Sequence, residues 1–132
     1  MTDNSYHSLK FFFFSCGGFF GGYKKMNIET DNGNSVLCIT PSRLTRKAEI
    51  KKELSADEWE SFSDSIMSKF RLFDWKDKYI NHDILDGTQW HIKIEYIDGT
   101  LKEVFGSNDY PDNWGEFIRF INEFVSFSGI KF

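Results

Sequence analysis

The chain has 132 residues, of which 40% are hydrophobic and 27% charged, and its formal net charge is −4. This length and balance are typical of one folded domain with its own core, so they argue against a disordered chain. The acidic balance disfavours non-specific nucleic-acid binding, because such binding needs a positive surface that displaces counterions. The one basic stretch, residues 43–52, is interrupted by Glu49 and is predicted to be a solvated strand or loop.

Aromatic side chains make up 18% of the chain, with 15 phenylalanines, 5 tyrosines and 4 tryptophans. Each ring carries a large apolar area and fills the core of a small domain efficiently. Most of them are therefore expected inside, while a minority remains available for an exposed contact patch.

Cys16 and Cys38 are the only cysteines of the sequence, and they form no CxxC pattern. We expect two reduced, buried or half-buried thiols rather than a disulfide scaffold. The apolar run at residues 11–14 is too short for a secretory signal, and no stretch approaches the ~18 apolar residues of a membrane-spanning helix. These features predict a cytoplasmic protein without membrane contact.

The first part of the chain predicts strands. Residues 8–15, with four consecutive phenylalanines, and residues 23–30, with alternating polar and apolar side chains, favour a sheet with one wet face. Residues 31–34 (Asp-Asn-Gly-Asn) predict a tight hairpin turn, since Asn-Gly tolerates the positive φ angles of a type I′ turn. Residues 35–40 are predicted to return as a third strand, and residues 46–54 to form a fourth, edge-like strand whose lysines discourage aggregation.

A helix follows. Ser55-Ala56-Asp57-Glu58 has the pattern of a capping box, with Ser55 at the N-cap and Glu58 at N3. Apolar side chains at helical spacing then predict a helix at about residues 56–71. Residues 73–87 are predicted to be irregular, with Trp75 and Tyr79 as anchors.

Residues 89–97 and 100–105 predict a second hairpin around Asp98-Gly99. A two-residue loop predicts these opposing pairs: Tyr96 with Leu101, Ile92 with Phe105, and Glu95 with Lys102. The same register leaves Glu103 on the apolar face, opposite Ile94. Three explanations are open: Glu103 lies near a sheet edge, a bulge shifts the register, or Glu103 is functional.

Residues 111–113 (Pro-Asp-Asn) are predicted to begin the last helix, with Asp112 as its cap and Gly129 as its stop signal. The order of elements predicts an α+β fold, in which an antiparallel sheet of about five to six strands carries two helices packed on one face. Residues 8–128 are expected to form a single domain after a flexible N-terminal tail at residues 1–7.

No catalytic or metal-binding pattern stands out in the sequence. The three histidines are His7, His82 and His91, and no pattern joins them to a nucleophile or to a set of metal ligands. His82-Asp83 with Asp86 is the only cluster of ligand types, and a surface loop explains it better. We therefore expect no catalytic residue, no metal and no cofactor, which favours a protein that is not an enzyme.

Two regions remain as candidate interaction sites. The first is the glycine-rich segment at residues 17–22, which leads from strand to strand and so lacks the strand-to-helix form of a phosphate loop. Its Phe19 and Phe20 either form an exposed protein-contact loop or fold back onto the sheet. The second is a rim that hairpin geometry brings to one end of the sheet, comprising Asp86, Trp90, Asn108, Tyr110 and Trp114. Polar groups beside aromatic rings suit a sugar or another small polar ligand, and the alternative is that both segments are structural turns.

Several segments together carry a family resemblance: Cys16-Gly17-Gly18-Phe19 with Gly21, Leu54-Ser55-Ala56-Asp57-Glu58-Trp59, and Leu85-Asp86-Gly87-Thr88-Gln89-Trp90 with Gly106-Ser107-Asn108-Asp109-Tyr110-Pro111. Over most of residues 9–125 the pattern is similar to small bacterial proteins of unknown function with a DGTQW…GSNxYPxNW core. More distantly, the order of glycine-rich start, hairpin, LSxxE helix, two strands and helix resembles emfourin, a protein inhibitor of thermolysin-type metallopeptidases. The second resemblance implies an inhibitory function.

The sequence thus favours a non-catalytic protein-binding module, either a peptidase inhibitor or a toxin-neutralising, immunity-like protein, because an acidic surface steers a basic partner. The alternative is a small polar ligand-binding protein or an enzyme with its site near Asp86, Asn108, Tyr110 and Trp114. A structural subunit of a larger assembly would have the same sequence features as the non-catalytic protein-binding module. The expected partner is another protein, and the expected oligomeric state is a monomer or a weak dimer.

Overall fold

The computed structural model describes residues 9–18, 22–31, 33–42, 48–83 and 87–132, so the predicted tail at the N-terminus lies outside the described residues. The elements in chain order are β1 Leu9–Gly18, β2 Gly22–Asp31, β3 Asn34–Thr40, β4 Ile50–Leu54, α1 Ala56–Asp64, β5 Lys78–Ile80, β6 Thr88–Tyr96, β7 Leu101–Ser107 and α2 Trp114–Phe124. The α+β class is confirmed. The sheet has seven strands rather than the predicted five to six.

The additional strand is β5, which lies in the stretch predicted to be irregular. It has only three residues, too few for an alternating pattern to reveal it, and it pairs in parallel with β7. The strand order is β4-β3-β2-β1-β6-β7-β5, and the other neighbouring strands are antiparallel. The prediction of a purely antiparallel sheet is therefore wrong at this one edge.

Both helices pack on one face of the sheet, as predicted. Phe12 of β1 meets Phe62 of α1 with ring centroids 5.0 Å apart, and Phe14 meets Phe117 of α2 at 5.4 Å. Successive side chains of a strand point to opposite faces, so every second strand residue enters this core. The fully buried strand residues include Phe12, Phe14, Met26, Ile28, Leu37, Ile39, Ile92 and Ile94. The core continues beyond residue 128, because Phe132 packs against Phe14 at 5.5 Å.

The β2–β3 hairpin agrees with the predicted two-residue turn. Asp31 pairs with Asn34, and Gly33 has a φ of +81°, while Asn32 lies outside the described residues. The predicted edge strand at 46–54 is shorter in the structure, because it begins at Ile50. The first two residues of the predicted strand, 46 and 47, lie outside the described part of the chain.

The capping box of α1 forms as predicted. Ser55 Oγ accepts a hydrogen bond from the Glu58 amide at 3.1 Å, and Glu58 Oε1 accepts one from the Ser55 amide at 3.0 Å. The helix continues as a π-helical turn, Ser65–Lys69, and ends before Arg71, which adopts a left-handed φ of 50°. The predicted span of about 56–71 is therefore confirmed in outline.

The second helix does not begin as predicted, because its N-cap is Asn113 and not Asp112. The Trp114 amide donates to the Pro111 carbonyl at 3.0 Å, so residues 111–113 close a turn before the helix starts. The Asn113 side chain donates to the Phe70 carbonyl at 3.1 Å and joins the start of α2 to the end of the first helical segment.

The β6–β7 hairpin has a three-residue loop instead of the predicted two-residue loop. The Tyr96 amide donates to the Thr100 carbonyl and the Gly99 amide donates to the Tyr96 carbonyl, each at 2.9 Å. Gly99 has a φ of +91°. A type I turn followed by a left-handed glycine is the usual form of a three-residue hairpin loop. The register is therefore one residue away from the prediction, with Ile92 opposite Val104.

A slip of one residue turns every side chain of a strand to the other face. Val104 is consequently buried in the core, whereas Leu101, Glu103 and Phe105 lie on the face without helices. Of the three explanations for Glu103, a shift of the register is correct in outline, but the longer hairpin loop causes it, and the pairing of residues 89–95 with β7 is uninterrupted.

The predicted pair of Glu95 with Lys102 is also wrong for this reason. Glu95 lies 3.6 Å from the Lys10 ammonium. Lys102 Nζ donates to the Trp75 carbonyl at 2.6 Å and to the Asp77 carboxylate at 2.9 Å. These contacts tie the segment before β5 to β7.

Candidate interaction surface

No helix of the described residues covers the second face of the sheet, which we call the open face. Cross-strand partners share a face, so the pairing arranges the open face in rows that run across the strands. Within each row the residues follow the strand order from β4 towards β5, and the first row is nearest the β6–β7 loop. The first row is Glu53, Val36, Glu29, Phe11, Glu95 and Leu101, and the second is Lys51, Cys38, Asn27, Phe13, Lys93 and Glu103. The third row is Thr40, Lys25, Ser15, His91, Phe105 and Lys78, and the fourth is Tyr23, Gly17, Gln89, Ser107 and Ile80.

Large apolar side chains are exposed on the open face. Leu101 is 54% exposed, Phe105 45% and Tyr23 42%, while Phe11 and Phe13 are half-buried. Exposed aromatic and aliphatic side chains among polar ones are typical of protein contact surfaces. The sequence contained a signal for such a surface, because a strand with four consecutive phenylalanines sends two of them to each face.

His91 is fixed at the centre of the third row. Its ring stacks on Phe105 with centroids 4.3 Å apart and meets the edge of Phe13 at 5.4 Å. His91 Nε2 lies 2.9 Å from Glu103 Oε2. Ser15 is the direct cross-strand neighbour of His91, but the structure shows no hydrogen bond between these two described side chains. The group forms a rigid aromatic platform and lacks the nucleophile-to-base contact of covalent catalysis.

A hollow of about 370 Å³ lies at the fourth row of the open face. Tyr23 and Gln89 flank Gly17 on the neighbouring strands, and the Tyr23 hydroxyl donates to Gln89 Oε1 at 2.7 Å. A Cβ on Gly17 would lie 2.1 Å from the Gly22 carbonyl oxygen, so only glycine fits there. Further lining side chains are Ser15, Ile80, His91, Phe105 and Ser107. The volume is at the small end of ligand pockets.

The three aromatic residues of the predicted rim belong to a stack of rings that runs from the core to the surface. Trp90 is 3% exposed, and its indole nitrogen donates to the Asp109 carbonyl at 3.1 Å. Trp114 lies against Trp90 with centroids 4.4 Å apart, and Tyr110 covers Trp114 at 5.1 Å. Asp86 lies outside the described residues.

Asn108 closes the end of the β6–β7 pair. It has a left-handed φ of 57°, its Oδ1 accepts a hydrogen bond from the Thr88 amide, and its own amide donates to the Thr88 carbonyl, both at 2.9 Å. A Cβ on Gly87 would lie 2.0 Å from Asn108 Oδ1. Gly87 and Thr88 therefore contact Asn108 at the end of the two strands.

Phe19 and Phe20, the other predicted contact residues, lie outside the described residues. Their chain neighbours Gly18 and Gly22 pair at the ends of β1 and β2. This pair follows the Gly17–Tyr23 pair of the fourth row, so β1 ends and β2 begins at the end of the open face that holds the hollow.

Cys16 and Cys38 lie on opposite faces of the sheet and two strands apart, which is too far for a disulfide. Burial raises the pKa of the Cys16 thiol to about 11. Burial, together with a hydrogen bond to Glu49 and its charge, raises the pKa of Cys38 to about 11. Both thiols are therefore protonated and weakly nucleophilic at neutral pH.

No group of three or more His, Cys, Asp or Glu side chains within the described ranges could hold a metal ion. None of the helices in the described part of the chain is long and apolar enough to cross a membrane. No model of a known protein family matches the chain, and no curated protein matches it. Its function is therefore inferred from the geometry and chemistry of the open face.

Proposed function

We propose that this chain is a non-catalytic protein-binding module whose contact surface is the open face. The observation that carries the proposal is the exposure of Leu101, Phe105 and Tyr23 on a sheet face that no described helix covers. Aromatic side chains surrounded by polar ones are the usual anatomy of protein interfaces, in which a few buried rings supply most of the binding energy.

The charges of the open face support a protein partner and argue against a nucleic acid. The face carries four lysines and four glutamates in its rows: Lys25, Lys51, Lys78, Lys93, Glu29, Glu53, Glu95 and Glu103. The described rows therefore carry no excess of positive charge, which binding to phosphate backbones requires. The expected partner is a folded protein with an apolar patch ringed by charges of both signs.

Within this class, the chain acts as a peptidase inhibitor or as a toxin-neutralising, immunity-like protein. The resemblance of its element order to emfourin supports the first of these, and its net charge of −4 suits a basic partner in either case. A sheet face held by seven strands is also rigid, and rigidity lowers the entropy cost of binding.

Titration of a thermolysin-type metallopeptidase with the purified chain tests the inhibitor hypothesis. We expect stoichiometric loss of peptidase activity that the Phe13→Lys variant abolishes. The matched control is Phe127→Lys, because Phe127 is 49% exposed and follows α2 on the helix side. A peptidase that stays fully active in excess inhibitor would leave only the toxin-neutralising function.

The second candidate function is binding of a small polar ligand, and the hollow beside Gln89 favours it. The lining combines hydroxyls and an amide with aromatic walls, as sugar-binding sites do. Another hollow, of about 420 Å³, borders the predicted rim at Trp75, Tyr79 and Asn113, but Asn108, Tyr110 and Trp114 do not line it. Chemical shifts of the Gln89 side-chain amide during titration with neutral sugars test this candidate. Unchanged shifts at saturating sugar would eliminate it.

A further inference from the structure

We propose that the hollow at the fourth row of the open face, of about 370 Å³, receives a tyrosine side chain of the partner protein. This inference rests on the proposed function, because it names the anchor by which a partner is held on the same surface. Tryptophan, tyrosine and arginine are the side chains that most often fill such pockets and supply most of the binding energy. The size of the hollow, its hydrogen-bonding groups and the charge around it select tyrosine from these three.

Short side chains among long ones create the hollow. Gly17 separates Tyr23 from Gln89 in the fourth row, and the side chains of Ser15 and Ser107 are too short to fill the space beside them. The resulting volume is at the small end of ligand pockets. It therefore suits a single side chain of a protein better than a larger ligand.

The hollow adjoins the aromatic platform of the open face. His91 and Phe105 line the hollow, and their rings stack with centroids 4.3 Å apart. Phe13 meets the edge of the same histidine ring at 5.4 Å. A protein that covers the platform can therefore place one side chain in the hollow, and an aromatic ring there extends the ring contacts. A free sugar gains only the contacts inside the hollow.

The Gln89 amide favours an anchor that carries a hydrogen-bond acceptor. Its Oε1 already accepts a hydrogen bond from the Tyr23 hydroxyl at 2.7 Å, so its Nε2 group supplies the remaining donors. Gln89 is exposed, and solvent reaches these donors in the unbound protein. A ring that fills the hollow removes that solvent, and a donor left without an acceptor is costly. A tyrosine hydroxyl accepts as well as donates, whereas the tryptophan ring N–H only donates.

The charge around the hollow disfavours an arginine anchor. None of the described residues that line the hollow is acidic. Glu103, in the second row, already contacts the histidine of the platform at 2.9 Å. Lys25 and Lys78 are the cross-strand neighbours of Ser15 and Phe105, and both lysines are exposed. A lysine on either side of the hollow repels a guanidinium and favours acidic residues next to the tyrosine of the partner.

NMR titration of the full chain with short capped peptides tests the anchor. Three peptides carry tyrosine, phenylalanine or arginine between two glutamates, and a fourth carries tyrosine between two lysines. We expect the Glu-Tyr-Glu peptide to shift the signals of the Gln89 side-chain amide with a Kd in the millimolar range, as for a single small anchor. The Glu-Phe-Glu and Lys-Tyr-Lys peptides should each bind about threefold to tenfold more weakly. The Glu-Arg-Glu peptide should leave the Gln89 amide unchanged.

The variant Gln89→Met isolates the hydrogen bond, because methionine keeps the length of the side chain and removes the amide. It should bring the Glu-Tyr-Glu and Glu-Phe-Glu peptides to equal affinity, as measured from the backbone amides of the residues that line the hollow. The matched control is Asn27→Leu, which removes an amide from the second row of the open face and should preserve the difference. Ser107→Leu fills the hollow and should abolish binding of both peptides.

Equal affinity of the tyrosine and phenylalanine peptides for the wild-type chain would overturn the inference, as would unchanged signals at saturating peptide. A neutral sugar that binds in the hollow while the peptides do not would also overturn it and would assign the hollow to a small ligand. The proposed function is tested separately, by photo-cross-linking of a partner protein at position 13. An adduct there without peptide binding would remove the tyrosine anchor and leave the binding module intact.

Discussion

The two faces of the sheet are built from the same strands but differ in what covers them. On the covered face, Phe12 and Phe14 are fully buried beneath the helices. On the open face, Phe11 and Phe13 are half-buried among charged and aromatic neighbours. Both helices, of nine and eleven residues, lie on one side only, so the other side receives no cover from them. The difference indicates that the chain carries more aromatic surface than its core uses.

The largest expected effect comes from substituting neighbouring phenylalanines on the two faces. Phe14→Ala should lower the free energy of unfolding by about 3–5 kcal/mol, because it removes a buried ring packed against Phe117 and Phe132. Phe13→Ala, one residue away, should cost only about 1 kcal/mol, because its ring is half-buried. Urea denaturation of both variants measures this contrast, and equal losses would mean that the open face is a structural core.

Substitution of two glycines by alanine tests the packing on the covered face. A Cβ on Gly106 would lie 1.9 Å from the Trp90 indole, so Gly106→Ala should cost about 2–3 kcal/mol and alter tryptophan fluorescence. Gly115 in α2 has nothing within 4 Å of its Cβ position, and Gly115→Ala should be neutral or stabilise by up to about 1 kcal/mol. Thermal denaturation monitored by fluorescence measures both. A neutral Gly106→Ala would show that Trp90 does not rest on β7.

A loss of stability of intermediate size is expected at Asn108 of the predicted rim. Asn108→Ala should lower the free energy of unfolding by about 1–2 kcal/mol, because the Thr88 amide loses its acceptor. Asn108→Asp keeps an acceptor and tolerates the left-handed backbone, so it should stay close to wild type. If Asn108→Ala keeps full stability, Asn108 is not a structural residue, and the ligand-binding interpretation of the rim gains weight.

The smallest expected effect distinguishes the two thiols. The pKa of each is raised to about 11, but Glu49 contributes only at Cys38. Glu49→Gln should therefore lower the pKa of Cys38 and speed its alkylation at mildly alkaline pH, because more thiolate is present there. The rate at Cys16 should not change. Mass spectrometry of iodoacetamide-treated protein measures both sites, and an unchanged Cys38 rate would show that Glu49 does not control it.

Local sequence patterns predicted the covered face well. The capping box at Ser55 and the Asn-Gly hairpin depend on neighbours within four residues, and both form in the structure. The strand predicted at residues 89–97 likewise forms, as β6 Thr88–Tyr96. Such features are decided by local backbone chemistry, so one sequence suffices to predict them.

The open face was harder to predict because it depends on one turn. Asp98-Gly99 fits both a two-residue and a three-residue loop, and the choice decides whether Phe105 faces the core or the solvent. The strand β5 was missed because three residues carry no periodic signal and its pairing with β7 is long-range. Trp90 lies on the same face of β6 as Ile92, but its contacts with Asp109 and Trp114, which make it part of the core, are tertiary and could not be predicted from local sequence.

The most direct test of the binding module is site-specific photo-cross-linking in the cell that makes this protein. Benzoylphenylalanine at position 13, in place of Phe13, should give an adduct with a different protein, because that side chain lies in the middle of the open face. The same group in place of Phe127, exposed on the helix side, should give none. A heterologous adduct at position 127 alone, or a self-adduct as the sole product at position 13, would contradict the claim that the open face binds a partner protein.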